Sequence, residues 1–82
     1  MAQTLSRRAY ELAKELAIPG SLTAWWDPDD TSYGESTFVM DRSNLSLYLG
    51  RCLREKVYPI QPKHINTEES TLTYTVFWKD LA

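Results

Sequence analysis

Between residues 21 and 41 the chain carries five carboxylates, Asp27, Asp29, Asp30, Glu35 and Asp41, and no Lys or Arg. Clustered carboxylates either hold a hard cation or meet basic groups on a partner. A calcium loop of the EF-hand type needs glycine at its sixth position and glutamate at its twelfth. Counted from Asp27, those positions are Ser32 and Phe38, so the pattern fails. No metal site and no cofactor are expected. Trp25 and Tyr33 stand among the acids, and large aromatics beside charge are a common composition of interface hot spots. The expected site is therefore a partner-binding one, made of Trp25, Asp27, Asp29, Asp30, Tyr33 and Glu35. The aromatics would anchor by burial. The carboxylates would steer toward a protein with a basic surface, such as one that handles nucleic acid.

The next stretch has the opposite sign. Residues 42–64 hold Arg42, Arg51, Arg54, Lys56 and Lys63 against Glu55. Arg51, Arg54, Lys56 and Lys63 are the alternative site, tracking the phosphates of a nucleic acid with Tyr58 nearby. No helix-turn-helix or RNA-recognition motif accompanies them. The remaining reactive side chains are isolated. His64 is the sole histidine and sits in a proline-rich connection, where an exposed role is expected. Cys52 is the sole cysteine; it excludes an internal disulfide and a cysteine zinc site, and a buried inert thiol is expected. There is no glycine-rich phosphate loop, nucleophile elbow or His/Cys ligand spacing, so the chain is not expected to be an enzyme.

Those residues must be positioned by a few short elements. Leu5, Ala9, Leu12, Ala13 and Leu16 recur at helical spacing, which predicts a helix over 4–18 with Thr4 as N-cap, an Arg7–Glu11 pair on its surface and Pro19-Gly20 as its stop. Residues 21–27 alternate: Leu22, Ala24 and Trp26 toward the core, Thr23 and Trp25 away. After the turn-rich DPDDTSYGE, residues 35–41 return with Phe38 and Met40 inward. A second helix over 43–56 has Leu45, Tyr48, Leu49, Cys52 and Leu53 as its apolar stripe, with Asp41 or Ser43 capping its start. Pro59 and Pro62 confine any strand in VYPIQPKHI to a short edge. Residues 71–78 alternate most clearly, with Leu72, Tyr74, Val76 and Trp78 inward.

The order α-β-β-α-β-β predicts one α+β domain over residues 1–82: a two-layer sandwich of two helices on one face of an antiparallel sheet of three to four strands. The sheet face away from the helices would carry Thr23, Trp25, Thr37, Val39, Thr73, Thr75 and Phe77. Its apolar members Trp25, Val39 and Phe77 form a candidate homo-oligomer face. The whole chain is 82 residues with net charge −2, which argues against bulk polyanion binding. Neither a membrane span nor a secretory signal is expected from it, and a cytoplasmic location is expected. Small chains of this class without a catalytic set include phage and mobile-element inhibitors and adaptors, an analogy of size alone. A non-catalytic protein-binding module is thus the leading expectation. A nucleic-acid-binding module is the alternative, and a subunit of an obligate homo-oligomer the third.

Overall fold

The computed structural model describes residues 5–30 and 33–81. Two helices, α1 (Arg7–Glu15) and α2 (Leu45–Glu55), pack on one face of a sheet of β1 (Thr23–Trp26), β2 (Gly34–Asp41), β3 (His64–Asn66) and β4 (Thr71–Phe77). The strands lie in the order β1-β2-β4-β3 and every neighbouring pair is antiparallel. This is the expected two-layer α+β arrangement.

The helix ends follow local chemistry. Thr4 lies outside the described residues; the N-cap is Ser6, whose Oγ accepts the Ala9 amide at 3.3 Å. α1 stops at Glu15, earlier than 18, because the following residues turn to the sheet: the Ile18 amide donates to the Val39 carbonyl at 2.8 Å. Ser21 then stands in for a backbone partner. Its Oγ accepts the Val39 amide at 3.1 Å and donates to the Ile18 carbonyl at 2.7 Å. Asp41 caps the 3-10 turn Arg42–Asn44 that leads into α2, accepting both the amide and the hydroxyl of Ser43. α2 ends on Lys56 in the left-handed conformation, φ 58°.

The core forms where alternation was clearest. Phe38 and Met40 of β2 and Leu72, Tyr74 and Val76 of β4 are buried against Ala9, Tyr10, Leu12 and Ala13 of α1, Tyr48 and Cys52 of α2, and Ile60. Phe38 stacks on Tyr74 with ring centroids 5.3 Å apart. Two polar groups inside this core are matched: the Tyr10 hydroxyl donates to buried Ser36 at 3.0 Å, and Tyr48 donates to the Ala9 carbonyl while accepting the Ile60 amide.

Three expectations are corrected. Ala24 and Trp26 pair with Ser36 and Gly34, which share the face of buried Phe38, yet Leu22, Ala24 and Trp26 are all exposed, Trp26 by 57%. β1 is an outer strand that the two helices do not cover, so its inner parity brings no burial. Leu49 and Leu53 are also exposed, Leu53 by 81%. α2 turns its buried arc toward α1, where Arg8 holds Glu55 and Arg51 meets Glu15, and that rotation carries the two leucines onto the flank. Trp78 does turn inward, but from a 3-10 turn, Trp78–Asp80, rather than from the end of a strand.

Candidate functional site

The open end of the β1–β2 hairpin gathers most of the residues singled out from the sequence. In register, Trp25 of β1 lies beside Glu35 of β2, and Glu35 lies beside Phe77 of β4. The three form one row on the sheet face opposite the helices. Trp25 Nε1 donates to Glu35 Oε1 at 3.2 Å, which fixes the indole against the sheet while leaving it 53% exposed. Tyr33 is exposed and, with Gly34, Phe77 and Lys79, lines a shallow pocket at the end of this row.

The acidic loop beyond is a built turn. The Asp27 amide donates to the Tyr33 carbonyl at 2.7 Å, and the Tyr33 amide to the Asp30 carbonyl at 2.9 Å. The Asp27 carboxylate accepts the Asp29 amide at 2.8 Å, a side-chain-closed turn that spends part of its acceptor capacity internally. Asp29 and Asp30 are exposed. Residues 31 and 32 lie outside the described residues.

A wedge fixes this end to the core. Trp78 packs edge-on against Tyr10 of α1 at 5.8 Å and against Trp26 at 6.0 Å. Its Nε1 donates to the Trp25 carbonyl at 2.9 Å. Gly34 permits the approach: a Cβ there would overlap the Trp25 carbonyl and the Trp78 ring. Half-buried Trp78 thus ties this end to the core, while Trp25 and Phe77 are exposed on one face of the sheet and Trp26 on the other. The sequence placed Phe77 with Trp25 on one outward face; the pairing register adds that Glu35 stands between them.

The alternative basic site is dispersed. Arg51 Nη1 lies 3.4 Å from Glu15. Arg8 forms a forked pair with Glu55 at 2.6 and 3.0 Å, and this hydrogen bond holds the Glu55 carboxyl below its ordinary value. These pairs knit α1 to α2 beside Arg54. Lys56 sits past the helix end on the other flank, in a groove with Leu49, Leu53, Val57, Tyr58 and Pro59. Lys63 follows the proline-rich connection, its amide donating to Thr73 of β4. The four cations thus occupy three separate places.

The candidate oligomer face is likewise divided. Val39 stands next to Thr73, and a row of Thr23, Thr37 and Thr75 separates it from Trp25 and Phe77. His64 is exposed on this same face, across from Thr73. Cys52 is buried, and burial raises its thiol pKa above the ordinary value, which disfavours the reactive thiolate. Among the described residues no group of three His, Cys, Asp or Glu side chains converges as a metal would require. None of the helices among them is long and apolar enough to cross a membrane. No protein-family model, curated protein or solved structure matches this chain.

Proposed function

We propose that this chain is a small, non-catalytic protein-binding module that occupies a basic surface of a nucleic-acid-handling protein, as an inhibitor or adaptor, through the β1–β2 hairpin end. The observation that supports this reading is the exposure of Trp25, Tyr33 and Phe77 beside Asp29, Asp30 and Glu35 in a chain whose core closes without them. Rigid aromatics give contact area at low entropic cost, and carboxylates around them raise the encounter rate with a cationic surface. The dispersal of Arg51, Arg54, Lys56 and Lys63 over three separate places favours this reading over nucleic-acid binding.

The test compares wild type with a variant carrying Asp27→Asn, Asp29→Asn and Asp30→Asn together. The amide oxygen introduced by Asp27→Asn can still accept the backbone N–H two residues on, so the turn persists and the urea midpoint stays put. Capture of a basic protein from host lysate should fall by about tenfold or more, and Trp25→Ala should weaken it similarly. Unchanged capture in both variants defeats the proposal. So does tight binding to free DNA or RNA that collapses with salt and requires Arg54, Lys56 and Lys63.

A further inference from the structure

The sheet has two edges, and they differ in kind. β3 is three residues long and follows Pro59 and Pro62, so it offers little for another strand to join. β1 is also short, at four residues, but the residue types that usually guard an edge are missing from it. Residues 22–26, LTAWW, hold no proline, glycine or charge. The Asp27 amide bonds the Tyr33 carbonyl, and the alternation of an antiparallel ladder then directs the main-chain groups of Thr23 and Trp25 toward β2. Those of Ala24 and Trp26 point away from the sheet. All four residues of β1 are exposed, with Trp25 on one face and Trp26 on the other.

An extended chain laid along this edge would meet the N–H and C=O groups of Ala24 and Trp26, with an indole on each side of it. The charge of the surroundings selects the occupant: Asp27, Asp29 and Asp30 follow β1 directly and Glu35 pairs with Trp25, outweighing Lys79 beside Tyr33 and Phe77. We propose that β1 is a strand-addition site for an extended, lysine- or arginine-bearing segment of the partner protein. This inference rests on the docking reading above and specifies how the partner engages: main-chain hydrogen bonds set the alignment, the two indoles grip alternate side chains, and Asp29, Asp30 and Glu35 attract the cations.

Amide hydrogen exchange on the full chain tests it. The probe is a short peptide alternating lysine and valine; the control alternates lysine and glycine, with equal charge and poor strand propensity. The lysine-valine peptide should slow exchange of the Ala24 and Trp26 amides by about tenfold or more while the control leaves them fast. Ala24→Pro removes an outward N–H that β2 does not use, and should weaken the peptide by about tenfold with the urea midpoint unchanged. If that variant fails to fold, the exchange measurement on wild type decides.

Three results overturn the proposal: no protection by the lysine-valine peptide, equal protection by both peptides, or amides already protected in the free protein together with a dimer mass. The last would give the edge to a second copy. If the Asp→Asn variant and Trp25→Ala abolish capture of the basic protein while Ala24 and Trp26 stay unprotected, strand addition falls and the docking reading stands. Capture indifferent to the carboxylates and to Trp25 removes the docking reading itself.

Discussion

Two buried tyrosines of similar environment should respond oppositely to loss of one oxygen. Tyr48 and Tyr74 meet edge-to-face at 6.2 Å in the middle of the core, and both are fully buried. The Tyr48 hydroxyl joins three elements: it donates to the Ala9 carbonyl of α1 at 3.1 Å and accepts the amide of Ile60, in the connection after α2, at 2.8 Å. The Tyr74 hydroxyl is buried with no hydrogen-bond partner among the described residues. Burial raises the pKa of both phenols.

Tyr48→Phe keeps the ring and strands the Ile60 amide, whose residue is 5% exposed. An orphaned buried donor costs about 1–3 kcal/mol, and the lost bond to Ala9, a carbonyl already served within α1, adds about 0.5–1.5 kcal/mol. The sum is about 1.5–4.5 kcal/mol, a large share of the roughly 5–15 kcal/mol that holds a typical domain together. Tyr74→Phe instead deletes a polar group that was desolvated without return, so stability should hold or rise by about 1 kcal/mol. Urea titrations followed by circular dichroism compare the two, with a common slope confirming that only stability has changed. A Tyr74→Phe variant as unstable as Tyr48→Phe would refute the reasoning, because it would mean that the Tyr74 hydroxyl has a partner of equal value.

Gly34→Ala should destabilise by about 1–3 kcal/mol or more, since the added methyl displaces the Trp78 ring or the Trp25 carbonyl; the shift in urea midpoint measures it. Cys52 should resist alkylation in the native protein and react at a rate that follows global unfolding across a urea series, because the thiol is buried and its pKa is raised by that burial. Acid should weaken the fold through Glu55, held below 4.5 by the Arg8 hydrogen bond, and Asp41, held below 3.8 by the Ser43 amide. Both lowered carboxyls contribute stability that is present above their ordinary values and is lost as pH falls through the lowered ones; Glu55→Gln should flatten the fall in urea midpoint on the acid side of the ordinary Glu value.

The architecture was legible because β2 and β4 are central strands whose two faces meet different surroundings. Phe38, Met40, Leu72, Tyr74 and Val76 alternate with threonines, and one face must pack while the other remains open. The same rule misled at β1. Its alternation is as good as that of β2, but parity assigns a side of the sheet, and burial also requires an element on that side. Nothing in LTAWW says how far the helices extend. The stripe of α2 held at Leu45, Tyr48 and Cys52 and failed at Leu49 and Leu53 for a related reason. Helical spacing defines an arc, and the arc is centred on Tyr48 and Cys52, packed against the sheet and α1; the partners that flank that contact lie 36 and 47 residues away. The exposed groove around Leu53 and Tyr58 follows from that rotation and had no local signal. Within the candidate site, the aromatic and acidic residues were visible as types, whereas the row Trp25–Glu35–Phe77 required the register of three strands.

The same geometry explains how a chain this small can leave Trp25, Trp26, Tyr33 and Phe77 exposed at one end. Apolar burial is concentrated in β2, β4, the two helices and Ile60, and β1 is joined to that core through its ladder with β2, the Ser21 hydroxyl and the Trp78 wedge. Stability and surface chemistry are thereby assigned to different residues. Trp78 is the exception, since it packs against Tyr10 on the core side and against Trp26 and the Trp25 carbonyl on the other. Loss of its ring should therefore loosen β1 as well as the core, whereas loss of the Trp25 ring should leave the core untouched. That asymmetry is what a binding surface mounted on an independently stable layer requires: its contacts can be altered one by one without unfolding the layer that presents them.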